Sequence, residues 1–236
     1  MKHAICGTLL FLAACGGTQT TTTDPVEEPV EEEQPRAAER MQEHFADVAA
    51  ARDAVIQGDV EGVRGPLGRI AAAEYGADMP YDWRQWVGEM QESAGGYAEV
   101  ADLLAAATAV ASLTESCADC HRTTLGGPAI PPAEEPVQED DLQGHMRRHD
   151  WGVQQLWLGL TAPSHEAWAR GAQAITGDPV ASDDESINEA IAPHLEELRA
   201  LGIRAQEAGQ PADKAGVYAE LISKCAVCHS GLDGRR

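Results

Sequence analysis

The sequence predicts an all-α protein, and three observations carry that prediction. Apolar residues make up 43% of the 236-residue chain, enough for packed cores, and aromatics only 5%, while alanine is abundant. The apolar residues recur mostly at helical spacing, and β-branched runs with period-2 alternation are missing. The chain also repeats itself. Residues 41–70 laid without gaps over 146–175, an offset of 105, pair Met41 with Met146, His44 with His149, Val48 with Val153, Val55 with Leu160, Glu61 with Glu166 and Ile70 with Ile175. The reading is a tandem duplication of one helical unit.

The chain opens with "MKHAICGTLLFLAAC", in which an early Lys, an apolar stretch from Ala4 to Leu12 and small residues before a Cys follow signal-peptide grammar over residues 1–14. The apolar stretch is too short for an ordinary membrane-spanning helix. "LAAC" at Leu12–Cys15 resembles the lipobox of bacterial lipoproteins. The resemblance implies cleavage before Cys15, acylation of that Cys and export, so that a lipid anchor on Cys15 holds the protein at a membrane. The anchor would sit on the periplasmic side of the inner or outer membrane, or at the cell surface. Cys6 leaves with the signal. The plainer alternative is an ordinary signal peptide followed by a chance Cys.

Residues 15–36 read as an acidic Thr/Pro/Glu tether without hydrophobic periodicity, held extended by repulsion among Asp24, Glu27, Glu28 and Glu31–Glu33. The first helical unit then runs over 37–125. A Pro/Glu linker, "GGPAIPPAEEPVQEDD" at 126–141, separates it from the second unit at 142–236.

Within each unit the first helix carries an inward seam at alternating three- and four-residue steps: Met41, His44, Val48, Ala51 and Val55 in one, Met146, His149, Val153, Leu156 and Leu160 in the other. Two more helices follow over about 59–74 and 83–97, and their counterparts over about 164–175 and 186–208. The last helix carries a matching stripe, Ala109, Val110, Leu113, Thr114 and Cys117 against Val217, Tyr218, Leu221, Ile222 and Cys225. Four helices on short connections predict an antiparallel four-helix bundle for each unit, each with its own core.

Each last helix ends in the most chemically pointed stretch of the chain: "CADCH" at 117–121 and "CAVCH" at 225–229. C-x-x-C-H is the attachment signature of c-type haem. Cys117 and Cys120, and again Cys225 and Cys228, would form thioethers with the vinyl groups, and His121 and His229 would be the proximal iron ligands. Other chemistries use C-x-x-C. A zinc site shared by the two pairs is disfavoured by their separation, a thioredoxin-like site lacks its βαβ context, and a C-x-x-C disulfide closes too small a loop to stabilise much. The cofactor expected is therefore two covalently attached haem c groups.

The motif closes each unit rather than opening it, which resembles the cytochrome c′ family, or class II c-type cytochromes, over about residues 37–125 and 142–232. "HRTTLGG" and "HSGLDGRR" differ from that family's aromatic and basic tail, each unit is shorter than typical members, and tandem copies are not its usual arrangement. The resemblance implies that the iron's distal face meets the first helix, closed by a Met in low-spin members and left open in high-spin ones. Here the first helices offer Met41 and Met146, or alternatively His44 and His149, as distal ligands. His145 faces Arg40 in the alignment and has no counterpart, while the unmatched His165 and His194 are expected at the surface. A membrane-tethered electron carrier, not an enzyme, is the expected function. The alternatives are a five-coordinate protein that binds or senses a small gas, and a structural lipoprotein whose motifs never receive haem. A formal charge of −22 excludes nucleic acid and an anionic lipid surface as partners and favours redox proteins with a basic docking face.

Overall fold

Short polar caps start most of the helices. The Asp59, Asp102, Asp141, Ser164 and Asp184 side chains accept from the backbone N–H two or three residues on, at 2.6–3.2 Å, and so satisfy amides that a helix start leaves unpaired. The computed structural model describes residues 33–75, 79–97, 100–124, 127–128, 133–137, 141–177 and 182–233. These form α1 (Glu33–Ile56), α2 (Val60–Ala72), α3 (Tyr81–Gly96), α4 (Leu103–Thr124), α5 (Leu142–Thr161), α6 (His165–Ile175), α7 (Glu185–Glu207) and α8 (Pro211–Asp233), with no strand among the described residues. The fold class is all-α as expected, and α2, α3, α6 and α7 fall within two residues of their predicted bounds. No described helix is long and apolar enough to cross a membrane. The signal peptide, Cys6, Cys15 and the tether up to residue 32 lie outside the described residues. α1 starts inside the predicted tether, at Glu33. Glu, Gln, Arg and Ala favour helix there, and Pro35 falls in the first turn, where its missing N–H costs nothing.

Sequence-adjacent helices pack together within each half, and α1 also meets α4 as α5 meets α8. The predicted seams are turned inward: His44, Val48, Ala51 and Val55 are buried in α1, as are His149, Val153, Leu156 and Leu160 in α5, with Met41 and Met146 half-buried at one end.

The expectation of two separate cores is corrected by the packing. One continuous apolar core runs from Val48 and Leu67 through Val110 and Leu113 to Leu156, Tyr218 and Ile222. The two motif-bearing helices, α4 and α8, lie against each other, and α1 meets α8 as α4 meets α5. The reason is in α4, where Ala106, Ala107, Ala109, Val110, Ala111 and Leu113 leave no broad polar face, and a helix apolar nearly all round must be covered on all sides. Elements matched by the 105-residue offset thus meet reciprocally. Arg52 and Trp157, equivalent under the 105-residue offset, meet at 5.0 Å with the guanidinium over the indole. The 5%-exposed Arg52 also reaches Asp53 at 2.6 Å and donates to Gln154 Oε1 at 2.9 Å, so its buried charge is met from both halves.

α5 and α6 approach closely because glycines line the contact. A Cβ on Gly171 would sit 2.6 Å from the Gly152 carbonyl oxygen and 2.7 Å from the Leu156 nitrogen, and one on Gly159 would sit 2.8–2.9 Å from Trp168. Both obstacles include backbone, so neither can swing aside. Gly171→Ala should therefore destabilise the fold by about 1–3 kcal/mol through overpacking. Gly68→Ala is the control: in α2, where a Cβ meets nothing within 4 Å, it should stabilise by about 0.5–1 kcal/mol from helix propensity alone. Thermal unfolding followed by circular dichroism should move the midpoint in opposite directions; equal behaviour of the two variants would contradict the packing.

Candidate functional site

The first motif lies in the last two turns of α4, facing α1 and α3. Cys117, Cys120 and His121 line one cleft with Met41 and His44 of α1 and Met90 of α3. Residues up to 80 positions apart in sequence thus meet, as the candidate set required for this half. His121 Nδ1 lies 2.7 Å from the Thr161 carbonyl oxygen. A carbonyl only accepts, so Nδ1 carries the proton and Nε2 keeps its lone pair. Burial pulls the His121 pKa below its ordinary value, with the Thr161 bond opposing it. Thr161 ends α5, so a residue of the second half orients a candidate ligand of the first. The repeat alone gave no sign of this.

Burial, reinforced by the neighbouring Cys120, pushes the Cys117 thiol up to about 12, and burial also raises Cys120. Cys225 is likewise pushed up to about 12 by burial, with Cys228 adding to it, and burial raises Cys228. All four are free thiols. Disulfide exchange needs a lowered thiol pKa, so these environments oppose a thioredoxin-like role. Among the described residues no group of three or more His, Cys, Asp or Glu is gathered as metal ligands; the two C-x-x-C pairs do not converge on one four-cysteine site.

His44 is buried and engaged. The Tyr75 hydroxyl lies 2.7 Å from its Nε2 and 3.2 Å from its Nδ1. Burial pushes Tyr75 up to about 12 and lowers His44, so the pair is a protonated phenol on a neutral ring. Met41 has no such tie. Tyr75 sits in the α2–α3 connection and was absent from the sequence-derived set, because it is not on a helix face that periodicity reads.

The second half differs. Cys225 packs against the main core, while Cys228 is buried in a small separate cluster with Ile191 and Leu195, against which Leu142, Met146 and Ile187 rest. Met146 and Cys228 thus share one apolar cluster. His229 is exposed. His149 lines a different space, a cavity of about 510 Å³ between α5, α6 and α7 whose walls include none of Cys225, Cys228 and His229. Burial, helped by His145 and Arg148, holds His149 down at about 3, and burial followed by Arg148 lowers His145, so both are neutral imidazoles near pH 7. His165 is exposed, as expected of a surface residue. His194 is half-buried instead, with Nδ1 shut away from partners, because it follows Ile191 by three residues on the inward face of α7.

No protein-family model matches this chain, and neither the curated proteins nor the solved structures contain a match.

Proposed function

We propose that the chain is a dihaem c-type cytochrome, tethered to a membrane through Cys15, that carries single electrons outside the cytoplasm. In this reading each half is a four-helix bundle of the cytochrome c′ kind. One observation carries it: the cleft between α1, α3 and α4 gathers two thiols, two imidazoles and two thioether sulfurs among apolar walls.

The donor set fits a covalently held haem. Cys117 and Cys120 would hold the first macrocycle and Cys225 and Cys228 the second, with His121 and His229 as proximal ligands. Met41 and Met146 are the favoured distal ligands, because Tyr75 occupies His44 and His149 opens onto a space without motif residues. The first cleft encloses only about 70 Å³, so seating a macrocycle would require its lining, which includes Phe45 and Trp86, to open. Bound haem iron supplies the one-electron couple.

The protein's own groups do the rest. The Thr161 carbonyl fixes the His121 ring and makes it a stronger donor, the usual service of an outer hydrogen bond to a metal-binding imidazole. Val48, Val87 and Met90, all buried, keep water from the first site. α4 and α8 lie against each other, with the motif end of α4, at Ala118 and Arg122, beside the start of α8 at Pro211 and Lys214. The strongly acidic surface would steer a basic redox partner toward encounter.

Absorption spectra of the protein expressed with a haem-c maturation system test the reading, oxidised and reduced, with and without carbon monoxide. Low-spin c-type bands, silent to carbon monoxide, are expected, together with an intact mass two haems above the processed polypeptide. Immediate carbon monoxide binding at two high-spin haems would favour gas binding instead, and a mass without haem would end the cytochrome reading.

A further inference from the structure

We propose that the second half carries a separate binding site for one divalent d-block cation of the copper, nickel or zinc kind, formed by His145 and His149. The haem reading uses neither residue, and the site stands whether or not that reading holds.

His145 and His149 are four residues apart on α5, the spacing that puts two imidazoles on one helix face and lets them take a single metal ion. They are 7% and 9% exposed, and the Nε2 of each is buried without any hydrogen-bond partner. A buried polar atom left unpaired is destabilising, and a metal ion bound by both rings would satisfy the two nitrogens at once. Their ring centroids lie 4.1 Å apart. Metal–imidazole bonds of about 2.0–2.1 Å place the centroids of two neighbouring ligands about 4.5–5.2 Å apart, so a slight opening of the two rings reaches a chelating separation. Both line the cavity of about 510 Å³, which leaves room for water to complete the coordination.

The donors select the ion. Imidazole nitrogen suits copper, nickel and zinc, whereas magnesium and calcium demand oxygen. Glu185 and Glu196 of α7 line the same cavity and favour a cation there. Two arginines are near: Arg148, whose charge is met by Glu135 at 2.8 Å, and Arg199, which lines the wall. The first half is a natural control. Arg40 stands where His145 does, and Tyr75 bonds the ring equivalent to His149, so the duplicated position has been converted from a chelate to a closed contact, or the reverse.

Cu²⁺, the tightest binder of the series, is the probe. The full processed protein, with whatever haem it carries, should bind one Cu²⁺ per chain by titration calorimetry, and its electron paramagnetic resonance should show hyperfine coupling to two imidazole nitrogens. His145→Arg, which restores the first half's residue, and His149→Gln should each weaken binding by at least about 100-fold, while His165→Ala should not. Because a variant could misfold, the parent spectrum decides alone: sulfur ligation, or one nitrogen or none, overturns the proposal. So does unchanged binding in both variants, and so does a change of the iron spectrum in His149→Gln, which would make His149 an iron ligand. Failure of the cytochrome reading looks different, since the porphyrin bands would then be missing while the two-nitrogen copper signal remained.

Discussion

Cys225→Ser with Cys228→Ser should leave the chain with one covalent haem, Cys117→Ser with Cys120→Ser should leave the other, and the quadruple variant should carry none. The effect is all-or-none because a serine hydroxyl does not replace a thiol in the thioether bond to a haem vinyl group. The first cysteine of each pair extends a buried helical stripe and the second faces the α1 or α5 side, so serine changes little of the packing while removing the chemistry. Haem staining after denaturing electrophoresis and intact mass read the result directly. The continuous core adds a second expectation. Unfolding of each single-site variant should remain one cooperative transition rather than splitting into a loaded and an unloaded half, because α4 and α8 share their packing. Two separated transitions would restore the picture of independent bundles. A quadruple variant still carrying haem mass would show that attachment lies elsewhere.

Helix positions and their inward faces were legible because periodicity reports burial directly. Val48, Val55, Val110, Leu113, Val153, Leu221 and Ile222 recur at helical spacing, and all are buried. What periodicity does not carry is a partner for a second face. "LLAAATAVASL" at 103–113 is apolar nearly all round, which is the sign in the sequence that α4 is covered on more than one face, whereas its strongest stripe alone implies two cores. At the site, the adjacency of Met41 to Cys117 and Cys120 followed from two stripes facing each other. The Thr161 carbonyl on His121 and the Tyr75 hydroxyl on His44 did not, since one is a backbone atom and the other lies in a connection, and both depend on how elements are brought together in space. The repeat predicted equal sites. Their inequality comes from side chains outside the matched positions: His145 against Arg40, and Tyr75, which reaches back to His44.

Met41→Ala should convert one of two low-spin ferric haems to high-spin and open it to carbon monoxide, and Met146→Ala should do the same for the other. A thioether bound to iron gives a weak red charge-transfer absorption, so that band should lose about half its intensity in each variant and vanish in the double variant. Met–His ligation also favours the ferrous state relative to two imidazoles, so the parent potentials should be comparatively high and should fall if an imidazole replaces the sulfur. His44→Ala should leave the red band intact, because its ring is held by Tyr75; its cost should appear as lost stability, from the half-buried Tyr75 hydroxyl left without its partner. Shared packing could couple the two sites, but Met146 and Cys228 sit in a cluster that contains nothing of α1. The second haem should therefore stay closed when Met41 is removed. The two potentials should nonetheless differ, because the Thr161 carbonyl makes His121 the stronger donor, which lowers the first, while His229 lies exposed to solvent in the second. A redox titration with a single two-electron-equivalent wave, or a red band unchanged by Met41→Ala, would reject thioether ligation or the inequality of the sites, respectively by the band and by the wave.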